Sequence, residues 1–368
     1  MRASLSREAL LQPLQHIIGV VERRQTMPVL SHVMVEVNAD AEVTLTGTDM
    51  EVEMIGTTRA ESGEPGACTL PARKLFDLLR ALPEAARVEL KVEGERVLLR
   101  AGRSRYTLVT LPVTDFPSLD KIEVVDRMRI AERGLKELLE RTQFAMANQD
   151  VRFSLNGLLF DVQGDLLRCV ATDGHRLALA ETTLASGARQ VRRQVILPRK
   201  GVLELTGMLG EGEGELELEF ARNHVRVHRE GVRFTSKLID GKFPDYETVL
   251  PIGADKQVTV TRTLLRETLQ RAAILSNEKY RGVKLELSPG RMRIMAHNPE
   301  QEEAVEEIEA DTSVEELAVG FNVGYLLDAL GALHGESVVL RLRDGQSSCL
   351  IEGAADERAR HVVMPLRL

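Results

Sequence analysis

Asp173 and His175, with Cys169 just upstream, are the residue types from which a hydrolytic dyad or a thiol nucleophile could be built. Such a site needs its nucleophile, base and orienting acid held in one geometry. The patterns that do this, Gly-x-Ser-x-Gly, His-Glu-x-x-His and a glycine-rich phosphate loop, do not occur. Thr48-Asp49 and His297-Asn298 place an Asp or Asn at the equivalent point of an internal repeat, so the acid reads as a turn former. No catalytic residue is expected. Cys68, Cys169 and Cys349 are an odd, scattered set without a Cys-x-x-Cys pair. That argues against a disulfide framework or zinc site and suits a reducing cytoplasm. Neither a metal nor a cofactor is expected.

Phosphate neutralisation is the second chemistry within reach. Arg7, Arg23, Arg24, Arg73, Lys74, Arg80, Lys136, Arg141, Arg199, Lys200, Arg266 and Arg271 lie on or beside predicted helices. The chain as a whole carries a net charge of -8, so nonspecific adhesion to nucleic acid is not its habit. Trp is absent and aromatics make up only 4%, which disfavours base-stacking platforms. Any nucleic-acid contact must be local, on one face, and made to phosphates without base readout. Singly, these cations are ordinary solvent-side charges interleaved with Glu132, Glu137 and Glu140. Aligned with the repeat, Arg73, Arg199 and Lys200 among them become candidates for DNA contact.

The elements that position them recur three times, and repetition decides architecture. Val195-Ile-Leu-Pro-Arg-Lys-Gly-Val-Leu-Glu-Leu-Thr-Gly-Met-Leu209 reads as strand, turn and amphipathic helix. Its relatives run from Cys68 to Leu82 and from Val319 to Leu333, each with an acid inside, Asp77, Glu204 or Asp328. A second helical unit opens each third: Met1–Arg24 with Ser6 as N-cap, Ile130–Ala147, and Val260–Leu275. Its predicted apolar faces are Leu10, Leu11, Leu14, Ile17 and Ile18; then Leu135, Leu138, Leu139 and Met146; then Leu264, Leu265, Leu269 and Ile274. Alternating strands such as Val33–Val37, Gly157–Val162 and Val283–Leu287 follow each opening helix. Boundaries near Val125 and Pro251 give three domains, 1–125, 126–251 and 252–368, each with two helices packed on antiparallel sheets. The fold class is α+β. No run approaches the ~20 apolar residues of a membrane span, and no signal pattern opens the chain, so the expected location is the cytoplasm.

Three like domains could form an open arc, a three-membered ring or half of a larger ring. A domain of about 120 residues is, as a sphere, roughly 35 Å across. Three touching spheres leave a hole of only about 5 Å, whereas six leave roughly 35 Å, enough for a hydrated duplex. Two chains joined head to tail would close such a ring. Arg96, Arg100, Arg103 and Arg105 make one end basic, and Glu300–Asp311 makes the other acidic. They are complementary ends of a join or solvated strand faces. Ile274 and Leu275 fit an apolar join or a core equally.

The stretches Leu45-Thr-Gly-Thr-Asp49, Leu155-Asn-Gly157, Ala171-Thr-Asp-Gly-His-Arg-Leu177, Phe243-Pro-Asp-Tyr246, Ile274-Leu-Ser-Asn-Glu-Lys279, Asn298-Pro-Glu-Gln-Glu302 and Val362-Val-Met-Pro365 carry a family resemblance. Over essentially its whole length the chain resembles the bacterial DNA polymerase III beta subunit family, the sliding clamps. The resemblance implies the DNA clamp fold, half of a ring per chain, closed as a head-to-tail homodimer on duplex DNA without sequence specificity. It implies a groove between the second and third domains for short peptides bearing Gln, Leu and Phe. The implied partners there are the clamp loader, the replicative polymerase alpha subunit, translesion polymerases and mismatch-repair proteins, with no membrane. By motif match the groove comprises Leu155, Thr172, Gly174, His175, Arg176, Leu177, Pro244, Val249, Val362, Val363, Met364, Pro365, Leu366 and Arg367. The resemblance puts DNA contact at Arg24 and Gln149. It puts the dimer join at Lys74, Arg96, Arg103, Arg105 and Leu108 against Ile274, Leu275, Glu302 and Glu303. Ser154 and Thr248 depart from the family pattern, standing where familiar members carry a Tyr and an Arg.

Overall fold

Among the described residues six helices each begin where a strand stops: α1 (Arg7–Ile17), α2 (Ala72–Ala81), α3 (Glu132–Glu140), α4 (Arg199–Met208), α5 (Arg262–Ala273) and α6 (Val323–Ala332). A computed structural model of the chain describes residues 1–22, 27–117, 119, 122–185 and 189–367, the side chains of 189–191 and 357 excepted. Side-chain caps mark two of these starts. Ser6 accepts from the Ala9 amide at 3.1 Å, and Asn322 accepts from those of Gly324 and Tyr325. Each cap satisfies amides that a first helical turn leaves without an intrahelical partner.

Among the described residues the strands form four antiparallel sheets. A five-stranded sheet runs Ser62–Glu64, Arg2–Ser6, Arg87–Glu93, Arg96–Ala101, Ser104–Val109. An eight-stranded sheet runs Val124–Ala131, Glu215–Ala221, His224–Arg229, Val232–Lys237, Val52–Arg59, Glu42–Thr48, His32–Val37, Gly66–Pro71. A second eight-stranded sheet runs Arg189–Pro198, Gly157–Gly164, Leu166–Thr172, Arg176–Thr183, Asp356–Val363, Cys349–Gly353, Ser337–Leu342, Lys256–Thr261. The last has four strands, Glu303–Glu309, Arg291–His297, Gly282–Ser288 and Leu317–Asn322. Each eight-stranded sheet is therefore half from one third of the chain and half from the next. The chain accordingly resolves into two compact units. One is Met1–Arg133, Ala185–Gly187 and Lys200–Leu238; the other is Gly134–Leu184, Ala188–Arg199 and Ile239–Leu368.

Within the first unit, α1 lies on its sheet through Leu10, Leu11, Leu14 and Ile17, all buried. Burial of each such side chain is worth roughly 1.5–3 kcal/mol. Two glycines allow the approach: a Cβ at Gly56 would stand 2.5 Å from Pro13, and one at Gly47 would stand 2.3 Å from Ile17. Within the second unit, α5 packs on α6 and on the four-stranded sheet.

Two helical faces differ from expectation. α3 stops at Glu140, and Met146 is buried beyond a short 3-10 turn at Gln143–Ala145. The Thr142 hydroxyl turns back to the Leu138 carbonyl at 2.6 Å, taking up a terminal acceptor of the helix. On α5 the buried face is Leu265, Thr268, Leu269 and Ala272, whereas Leu264 and Ile274 are exposed. Ile274 sits at the helix C-cap, past the turn that meets the sheet.

Candidate functional site

The Thr172–Arg176 turn is built by its own side chains. Thr172 Oγ1 donates to the Arg176 carbonyl at 2.6 Å and accepts from the Gly174 amide at 3.1 Å. Asp173 Oδ1 accepts from the amides of His175 and Arg176, and its Oδ2 accepts from Arg176 Nε. Thr48 and Asp49 make the same bonds to Met50, Glu51 and Val52. Asn298 caps the amide of Glu302 in the third copy. Asp173 is thus committed to backbone and guanidinium, and burial pushes the Cys169 thiol well above its ordinary range. The turn-former reading accounts for these residues.

Arg176 is the centre of the site. Besides Asp173 it donates to the Phe144 carbonyl at 2.8 Å and forms an ion pair with Asp328 of α6. Its guanidinium lies 4.5 Å from the Tyr325 ring centroid and 5.3 Å from that of Phe144. A guanidinium beside two rings and tied by hydrogen bonds and ion pairs along its edge is a fixed post. Asp328 and Tyr325 were visible in the repeat, but nothing in the sequence showed what they would meet.

Next to the turn, strand Arg176–Thr183 pairs with Asp356–Val363 in the register Arg176↔Val363 and Leu177↔Val362. The Met364 amide continues the pairing to the His175 carbonyl at 3.0 Å, and the Leu366 amide donates to Gly320 at 2.8 Å. This seats Leu177 and Val362 in one buried cluster with Phe243 and Tyr246, against which Val249 packs. Leu155 and Val363 are buried as well; Thr172, Gly174, Pro365 and Leu366 are half-buried; His175, Pro244, Met364 and Arg367 are exposed. The result is an apolar floor with an exposed methionine and a polar turn at its edge. Ser154 lies in the short 3-10 turn Phe153–Leu155, and Thr248 Oγ1 donates to the Asp245 carbonyl at 2.7 Å.

The rim segment Phe243–Leu250 is anchored from below. Tyr246 Oη donates to Asp161 Oδ2 at 2.7 Å, and Arg192 and Gln194 donate to the same buried carboxylate. Burial alone would raise the Asp161 carboxyl, but these hydrogen bonds and the Arg192 charge hold it below its ordinary value. Tyr246 is pushed up to about 12 by burial and by Asp161. Sequence reasoning missed this anchor. Its one signal was a lone acid inside the apolar run Gly157–Val162.

The DNA candidates separate by environment. Gln149 is exposed at φ +58° in a loop that, with Asn148, Arg152, His175, Arg176 and Arg199, borders a cavity of about 540 Å³. Arg199 donates to the Met146 carbonyl at 3.2 Å, Arg73 to Val21 at 3.4 Å, and Lys200 to Glu22 at 2.6 Å. Arg24 lies outside the described residues. Of the join candidates, Lys74, Arg96, Arg103, Arg105, Glu302 and Glu303 are exposed, Leu108 is buried and Leu275 is half-buried. Ile274 is 77% exposed, so it is not a core residue of the single chain.

Three family models match in sequence along the chain. They are described as the N-terminal, central and C-terminal domains of the DNA polymerase III beta subunit and cover residues 1–120, 129–245 and 247–367. The beta sliding clamps of Pseudomonas putida and Escherichia coli are 50% and 48% identical, with all of each chain covered. The crystal structure of the DNA polymerase III subunit beta from Pseudomonas aeruginosa superposes with a TM-score of 0.96 at 50% identity over the whole of both chains. That organism's clamp bound to griselimycin matches with a TM-score of 0.97.

Proposed function

The chain belongs to the DNA polymerase III beta subunit family, the beta sliding clamps, and we propose that it works as they do. It forms a ring-shaped homodimer on duplex DNA and tethers the replicative polymerase there, with no catalytic site of its own. The observation that carries the ring is a seam made twice inside the chain. In the first unit, the strand after the Thr48-Asp49 turn, Val52–Arg59, pairs with Val232–Lys237, and Asp49 forms an ion pair with Lys200 of α4. In the second unit, the strand after the Thr172-Asp173 turn, Arg176–Thr183, pairs with Asp356–Val363, and Arg176 reaches Asp328 of α6.

By the same rule the strand after the Asn298 turn, Glu303–Glu309, should pair with the last strand of the first copy, Ser104–Val109. Both are free sheet edges among the described residues. The Asn298–Glu302 turn should likewise meet α2, where Lys74 stands exposed. A second copy would supply these contacts, and the same contact made twice closes the ring. The join then comprises Lys74, Arg96, Arg103, Arg105 and Leu108 against Ile274, Leu275, Glu302 and Glu303. Exposed Val109 and Val305 on the two edges add apolar area to the charge complementarity.

The division of labour follows. Domains 1–125, 126–251 and 252–368 repeat one plan, and Arg24, Arg73, Gln149, Arg199 and Lys200 serve the duplex. The Leu155–Arg367 groove takes peptides bearing Gln, Leu and Phe from the polymerase alpha subunit, clamp loader, translesion polymerases and mismatch-repair proteins. Leu177, Val249 and Val362 offer the apolar pocket, Met364 an adaptable lid edge, and His175 a polar wall. The place of work is the cytoplasm; among the described residues no helix is long and apolar enough to cross a membrane.

Retention on DNA tests the reading. Protein placed by a loader on nicked circular duplex should stay through gel filtration and leave when the circle is cut. Equal retention on circle and linear duplex would mean adhesion and would sink encirclement.

A further inference from the structure

The two internal seams differ at one matching pair of positions. In the first unit Glu53 pairs with Thr48 and Thr235; in the second, Leu177 pairs with Thr172 and Val362 in the same register. Leu119 follows Phe116-Pro117 by the same step that Tyr246 follows Phe243-Pro244. Glu53 is buried and accepts a hydrogen bond from the Leu119 backbone, so in the first unit this segment is tied to the floor itself. In the second unit the floor is apolar and the tie lies elsewhere on the same sheet face. Leu159 and Asp161 are two residues apart on one strand and share that face. Leu159 packs in the cluster with Leu177, Val362 and the Tyr246 ring, and Tyr246 Oη donates to Asp161 at 2.7 Å. Arg192, bonded to Asp161, also donates to Glu247 at 2.9 Å. Among the described residues, 240–252 make no backbone hydrogen bond to a strand, so side chains hold this rim.

We propose that Tyr246 and Asp161 are positioning residues for peptide docking: their hydrogen bond holds Pro244 and Val249 at the edge of the groove without covering Leu177 and Val362. The inference rests on the groove proposed above. A hydroxyl bonded to a buried carboxylate makes a charge-assisted hydrogen bond, stronger than a neutral one. Without it the rim keeps mainly apolar contacts, which have no preferred direction, and it spends part of its time out of place. A peptide then meets a groove that is ready only for the remaining fraction, and apparent affinity falls by that fraction. The first unit carries Glu53 and Thr235 where the second has Leu177 and Val362, so it offers such a peptide no apolar floor.

Positioning and direct contact leave different kinetic marks. Loss of a wall contact speeds dissociation, whereas loss of a prepared rim slows association. The measurement is surface plasmon resonance of a short synthetic peptide bearing Gln, Leu and Phe on the intact dimer, with light scattering and thermal melting of each variant. Tyr246→Phe keeps the ring. It should lower the association rate constant about fivefold and leave the dissociation rate constant within about twofold, as a smaller competent fraction requires. Asp161→Ala should do the same, and Asp161→Asn, which still offers an oxygen acceptor, should recover most of the loss. The double variant Tyr246→Phe with Asp161→Ala should lose no more than either alone. Tyr246→Phe decides by itself if Asp161→Ala does not fold. An unchanged association rate constant in Tyr246→Phe, or losses that multiply in the double variant, would overturn the proposal. An unaltered dimer that does not bind the peptide would instead sink the groove reading, and this inference with it.

Discussion

Gly174 sits at φ +89°, where a side chain is strained, and a Cβ there would also stand 3.0 Å from the Arg152 guanidinium. Gly174→Ala should cost about 1–2 kcal/mol from the backbone alone. It should also weaken partner-peptide binding while leaving the dimer unchanged, as titration calorimetry and light scattering would show. His361 is the other residue with a clear signature. It is fully buried with neither ring nitrogen partnered among the described residues, and burial, reinforced by Arg141, drives its pKa down to about 3. Because the folded value lies below the unfolded 6.5, the neutral ring contributes stability above pH 6.5, and that contribution is lost as pH falls toward 3. Urea midpoints from pH 7 to 4 should therefore fall more steeply in the wild type than in His361→Phe. Parallel curves would refute the assignment. Neither property was legible in sequence, because a glycine's φ and a histidine's neighbours are set by packing. The role of Asp173 was legible, since the repeat placed an Asp or Asn at the same turn three times.

Among the elements, two of the edge strands carry the proposed join. Ser104–Val109 carries exposed Arg105 and Val109, and Glu303–Glu309 carries exposed Glu303, Val305, Glu307 and Glu309. Arg103→Glu with Arg105→Glu should shift the protein toward monomer by more than tenfold in dissociation constant, read by sedimentation equilibrium. Adding Glu303→Lys and Glu307→Lys should restore part of the association. Unchanged association in the first variant would place the join elsewhere. Helix and strand positions were legible because periodicity records which face is buried. The ends of α3 and the buried face of α5 were not. A hydroxyl closing on Leu138 ended one, and Ile274 stands at the C-cap of the other, 77% exposed.

At the scale of the whole molecule, the sequence by itself determined the threefold plan, the strand–turn–helix module, the basic and acidic ends, and the family. These are local or repeated properties, and a repeat is visible without coordinates. The tertiary structure decided what joins to what. Each middle half-sheet continues a neighbour's half-sheet, so the compact units follow the seams and not the covalent thirds. It also decided which charges are spent. Arg176 is a post between two rings and two carboxylates, and Lys200 has given all its donors to Val20, Glu22 and Asp49. Sequence counts charges but cannot see their partners. A cation is free for a phosphate only when folding leaves no nearer oxygen to take it.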